Sequence, residues 1–190
     1  MKKVFSILLA TLLFCINVQP AFAASALEIS SNDVASAWTV ITSEETKAII
    51  ADNIDFNELG KQTVYLGNNI AFEYNSSESA EVRLRAYSVK SGTMSGRFYL
   101  TSNEQTVATY SLAVTFRYNG TRVYADDEDI QVSYSAIPNW SIDGNYSKSS
   151  GSGWISVDAS YQLYHNGNYN NDTFLDMSCD ADGNITKNYE

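Results

Sequence analysis

The sequence predicts a mainly β protein, an antiparallel β-sandwich with Ig-like layering and a short helical segment near its N-terminus. Three observations carry that prediction. Residues 106–118 place Tyr110, Leu112, Val114, Phe116 and Tyr118 on one parity and Thr109, Ser111, Thr115 and Arg117 on the other, the period-two pattern of a strand with one buried face. Residues 154–164 repeat it with Ile155, Val157, Ala159, Tyr161 and Leu163. After Gly60, clusters of Gly, Asn, Ser and Asp cut the chain into roughly ten short strands. Uneven loop lengths favour a sandwich over an up-and-down barrel.

Taken in order, the chain opens with Lys2 and Lys3, an apolar run to Val18 and then Ala21-Phe22-Ala23. These are the charged, apolar and small-residue regions of a secretory signal peptide over residues 1–23, so export is expected. Cys15 lies inside the apolar run, but Phe14 stands where a lipid-modified cysteine site takes a small residue. Removal of the leader leaves 167 residues, enough for one well-buried domain. No later run approaches the length of a membrane span.

Residues 24–60 form a segment of different character. Thr42 stands three residues before Glu45, a capping-box spacing that predicts a short helix over about residues 44–52. Trp38, Val40 and Ile41 read as a strand or as irregular packing, and Asp52, Asp55 and Glu58 as a solvated connection. The β domain then occupies residues 61–190, with strands expected at 62–66, 70–74, 81–89, 96–100, 106–118, 121–125, 130–135, 140–142, 154–164 and 173–179. Asn119-Gly120 and Asn166-Gly167 read as two-residue type I′ turns. The first pairs Tyr118 with Thr121 and sets Arg117 opposite Arg122; the second pairs His165 with Asn168 and Tyr164 with Tyr169. The serine-rich residues 147–153 read as a flexible loop.

The strand and turn patterns A-T-Y-S-L-A-V-T-F-R-Y-N-G-T, Trp140-Ser141-Ile142, W-I-S-V-D-A-S-Y-Q-L-Y and M-S-C-D-A-D-G-N-I-T resemble small secreted β-rich modules of Gram-positive gut bacteria over residues 106–186. The resemblance implies export and a β-sandwich, and it carries over no catalytic or binding residue.

Charge narrows the function. The chain carries a formal net charge of −10, which argues against nucleic acid as a partner. Residues 81–122 nevertheless hold all five arginines and Lys90 against only Glu81 and Glu104. Arg83, Arg85 and Tyr87 share the outward parity of one expected strand, and Arg117, Arg122 and Tyr124 that of the next hairpin. Together they make a basic, tyrosine-bearing face suited to an anionic surface polymer or an acidic protein through bidentate and stacking contacts. The competing reading pairs these arginines with the chain's own acids, and opposition of Arg117 and Arg122 demands such an acid.

Other candidates read as structure. His165 lacks a second histidine or cysteine partner and reads as an exposed turn residue. Asp180-Ala181-Asp182-Gly183-Asn184 departs from a calcium loop in the place of its glycine and reads as a tight turn. Asp126-Asp127-Glu128-Asp129 reads as a solvated loop that blocks edge pairing, or as a weak calcium site. Cys179 shares the parity of Leu175 and Met177 and reads as a small buried hydrophobe. Trp154 and Tyr164, on the outward parity of one strand, suggest sugar stacking. No cofactor motif is present and no metal site is assigned. The expected function is therefore a secreted, non-catalytic binding module, with a small hydrolase using buried carboxylates as the alternative.

Overall fold

Glycine and apolar alternation after residue 60 produce two antiparallel sheets that pack face to face. The computed structural model describes residues 29–189; the leader expected over residues 1–23 lies outside them. Sheet A holds β1 (Gly60–Gly67), β2 (Ile70–Glu78), β4 (Ser88–Leu100) and β5 (Thr106–Tyr118) in that order, with short β3 (Val82–Arg83) on β4, and β6 (Val123–Tyr124) and β7 (Ile130–Ala136) along β5. Sheet B runs β8 (Trp140–Gly151), β9 (Trp154–His165), β10 (Asn168–Asp180) and β11 (Ile185–Tyr189), each paired with its neighbour in sequence. The mainly β, sandwich-like arrangement expected from the sequence is thus present. Among the described residues no helix is long and apolar enough to cross a membrane.

β5 has the bounds and parity expected of residues 106–118. Inward Tyr74, Gly96 and Tyr110 form one row across β2, β4 and β5. Their hydroxyls find partners in the core: Tyr74 Oη donates to the Phe56 carbonyl at 2.8 Å and Tyr110 Oη to Tyr189 Oη at 3.1 Å. Tyr161 of sheet B donates to the Ser111 carbonyl of sheet A at 2.6 Å. Satisfying these buried polar tips lets large aromatic rings fill the interior.

Two helices precede the sheets, where one was expected. α1 (Ser31–Ile41) replaces the strand or irregular packing read around Trp38. Its signal is Val34, Ala37, Trp38 and Ile41, an i, i+3, i+4, i+7 spacing that outweighs the weak helix propensity of its Thr and Val residues. Trp38 meets Trp140 edge-on at 5.0 Å and packs against His165 at 4.9 Å, so this histidine is half-buried against aromatic rings rather than an exposed turn residue. α2 (Glu44–Asn53) occupies the predicted span, but its N-cap is Ser43, whose hydroxyl accepts from the Thr46 amide at 3.1 Å.

The connection after α2 is a core element as well. Ile54 and Phe56 turn inward, and Phe56 stacks on Tyr189 at 5.4 Å. The Asn57 carboxamide oxygen accepts the Lys187 amide at 2.9 Å. The acids at 52, 55 and 58 face solvent while Ile54 and Phe56 pack inward, so charge alone misreads this segment. The serine-rich run also departs from expectation: most of it is the second half of β8, held by pairing with β9 from Ser147 to Gly151. Asn166-Gly167 behaves as predicted, with φ of 51° and 78° and the expected His165–Asn168 and Tyr164–Tyr169 pairs.

Cys179 is buried, as read from its parity, and desolvation, with the Asp180 charge adding, pushes its thiol up to about 12. Thiolate is the reactive form. Ellman's reagent should therefore modify Cys179 only when denaturant opens the fold. Rapid labelling of Cys179 itself in the native protein would contradict its burial.

Candidate functional site: an arginine-bearing groove

Three turns meet at one end of the sheets. The stretch expected as a single strand over residues 81–89 is instead a hairpin: Val82 and Arg83 pair with Val89 and Ser88, and the Leu84 amide donates to the Tyr87 carbonyl at 2.8 Å. The second turn joins β5 to β6. Its expected two-residue form is replaced by a wider one, because the Asn119 side-chain oxygen accepts the amides of Thr121 and Arg122 at 3.2 and 2.9 Å. Tyr118 then pairs with Val123 and Arg117 with Tyr124, so Arg117 and Arg122 are not opposed.

The third turn is Asp180 to Asn184. Asp180 Oδ1 accepts the amides of Asp182 and Asn184, and Oδ2 accepts the Asn184 carboxamide. Burial alone would raise this carboxyl, but these hydrogen bonds hold it below its ordinary value. The acids therefore build the tight turn expected of them. Gly183 has φ +86°, and a Cβ there would fall 2.2 Å from the Tyr118 ring; the turn closes against that ring only with glycine. The Gly120 amide donates to the Ala181 carbonyl at 2.8 Å and ties the second turn to the third.

Between the turns lies an open groove of about 370 Å³, lined among others by Arg83, Leu84, Arg85, Tyr87, Tyr118 and Asp182. Val82 and Leu84 leave about half of their surface in solvent. Of the six residues singled out in the sequence, Arg83, Arg85 and Tyr87 line this groove, Arg83 at the end of β3 and the other two on the turn that follows it. Tyr124 sits beside Tyr87 with ring centroids 6.5 Å apart. Arg122 is exposed on the neighbouring turn.

Arg117 serves the fold. Its guanidinium bonds Asp129 through both terminal nitrogens and Asp126 at 3.2 Å, and it lies 5.8 Å from the Tyr124 ring centre. The acidic loop 126–129 is thus engaged by the chain's own cations, with Asp127 paired to Lys148. Arg97 is likewise held by Thr106 Oγ1 at 2.8 Å and the Glu104 carbonyl at 2.6 Å. Arg83 donates to Glu81 at 3.0 Å, where Ser88 also donates, and these bonds lower the Glu81 carboxyl. Among the described residues the guanidinium groups of Arg85 and Arg122 alone of the five have no partner.

Sequence reasoning missed Tyr118 and Asp182 as groove walls, because their approach depends on how the third turn folds back. It also missed Lys187, buried between the sheets, although the alternation Ile185, Lys187, Tyr189 places it on the inward parity. Comparison of the chain with models of protein families, with curated proteins and with solved structures finds no match.

Proposed function

We propose that the chain is an exported, non-catalytic binding module, a sandwich of two Ig-like layers, that holds an anionic surface polymer in the arginine-bearing groove. One observation carries the reading: on a chain with excess acid, Arg85 and Arg122 keep unpaired guanidinium groups on two turns of the same end. Guanidinium binds phosphate and carboxylate bidentately, and flanking Leu84 and Tyr87 supply apolar contact to the backbone of an extended ligand. The groove is open and shallow, a form suited to a chain rather than to a small enclosed substrate. A hydrolase with buried carboxylates finds less support, because the enclosed Glu78 has both oxygens taken by Lys187 and Lys90.

Titration of the whole chain into fluorescein-labelled polyphosphate across a sodium chloride series tests the reading. Binding should weaken steeply with salt, and the double variant R85E/R122E should bind at least about tenfold more weakly, a loss of roughly 1.4 kcal/mol. Binding insensitive to salt, or undiminished in the double variant, contradicts it. Preference for poly-L-glutamate over polyphosphate would redirect the reading to an acidic protein partner.

A further inference from the structure

The outer face of sheet B has a composition unlike that of the groove. Pairing registers place Ser147, Asp158, Asp176 and Asn188 in one row across β8, β9, β10 and β11, each about 4.8 Å from the next. On one side of this row β9 and β10 present Ser156 and Ser178, and on the other Ser160 and Phe174. A concavity of about 340 Å³ opens over the row, lined by Ser147, Asp158, Phe174, Asp176 and Asn188. By register, no lysine or arginine points outward from these four strands among the described residues.

Exposed aromatic rings lie along the same face. Phe174 is 37% exposed beside the concavity, Trp154 is 44% exposed toward one end of β9, and Tyr169 is 52% exposed toward the other, where it meets Tyr164 at 5.8 Å. The Trp154 indole is laid over Gly151, where a Cβ would fall 2.2 Å from Nε1. Trp154 and the Phe174 row are six residues apart along β9, or about 20 Å, and Phe174 and the Tyr169 row are four apart, or about 14 Å. Flat apolar rings spaced along a strand direction, separated by hydroxyl, carboxamide and carboxylate groups, match the alternating C–H and O–H faces of a sugar chain.

The carboxylates choose the kind of chain. Asp158 and Asp176 stand directly opposite each other across β9 and β10, an arrangement unfavourable to a bound anion. The Ser156 hydroxyl donates to Asp176 Oδ1, and the Asp176 carboxylate lines the concavity with capacity for more than one donor. Vicinal hydroxyls supply the donors that a carboxylate pair accepts, without adding negative charge. Among the described residues no cluster of three or more acidic, histidine or cysteine ligands is close enough to hold a metal ion, and the phenyl ring beside the pair favours an organic ligand. We propose that this face binds a neutral polysaccharide along β9 and β10, with Phe174 under one sugar ring and Asp176 on its hydroxyls.

Native gels cast with laminarin, xylan, mannan or galactan, run with the whole chain in EDTA and repeated by pull-down at 0.5 M sodium chloride, test this site apart from the groove, whose binding is lost in salt. Retardation by at least one polysaccharide that persists in salt is expected. It should fall at least about tenfold in F174A and D176N and by less in W154A, each variant keeping a cooperative thermal transition because all three positions face outward. The proposal is overturned if none of the four retards the protein, or if retardation survives F174A and D176N together. It is equally overturned if binding requires added calcium, or if the polysaccharide is shortened, which would make the carboxylate pair hydrolytic.

Discussion

Replacing Glu78 by glutamine is expected to cost about 3–5 kcal/mol, the usual penalty for orphaning a buried charge. Lys187, whose side chain is 1% exposed, places its ammonium 2.7 Å from Glu78 Oε1, and Lys90 lies 2.7 Å from Oε2. With a neutral amide at position 78, two ammonium groups face each other with no counter-charge. For a domain of this size the melting temperature should fall by roughly 10 °C or more. Lys187→Met should cost less, because it removes the most enclosed charge and leaves Glu78 paired with Lys90 nearer the rim. Thermal and urea denaturation of the two variants give the order, and a milder effect of Glu78→Gln than of Lys187→Met would contradict this account of the cluster.

The pH dependence follows from the same geometry. Burial alone would raise the Glu78 carboxyl, but hydrogen bonds from Lys187 and Lys90 outweigh it and hold the group below its ordinary value. A carboxyl depressed in the folded state contributes stability above its unfolded pKa and loses it as the pH falls through the folded one. The gap between wild type and Glu78→Gln should therefore be widest near neutrality and close in acid, below the ordinary carboxylate range.

Gly96→Val is expected to cost about 3 kcal/mol, at the upper end of ordinary overpacking, and to lower the melting temperature by roughly 6–12 °C. A Cβ at this position would fall 2.4 Å from Tyr110 Cε2 and 2.9 Å from Phe72 Cε2. Both rings are buried, and the Tyr110 hydroxyl is tied to Tyr189, so neither can swing away without breaking the contact between the sheets. Gly96→Ala should show the same effect at smaller size. A Val variant as stable as wild type would mean that the aromatic row Tyr74, Gly96, Tyr110 is looser than its packing indicates.

The strands with one buried face were legible in the sequence because burial writes a period of two directly into residue type. Residues 106–118 and 154–164 are the clear cases, and Asn166-Gly167 fixed its register because φ is positive at both turn residues. Failures came where a side chain competed with the backbone. Asn119 caps the amides of Thr121 and Arg122, so the Asn-Gly pair there opens into a wider turn and shortens β6. Residues 81–89 alternate like a strand, yet the chain turns at 84–87, and the predicted face became the wall of a groove. Arg83, Arg85 and Tyr87 stayed together because they are neighbours in the chain, whereas Arg117 was withdrawn by Asp126 and Asp129, an acid pairing that its charge invited. The rows on the outer face of sheet B were hidden, since Asp158, Asp176 and Asn188 come from three strands whose register the sequence leaves open.

Amide hydrogen exchange of the whole chain with and without saturating polyphosphate at low salt tests the central claim most directly. Residues 84–87 and 119–122 should gain protection, with smaller changes at 181–183 and none along β8 and β9. Protection confined to the outer face of sheet B, or none at any turn while polyphosphate is bound, would contradict the assignment of anion binding to the arginine-bearing groove.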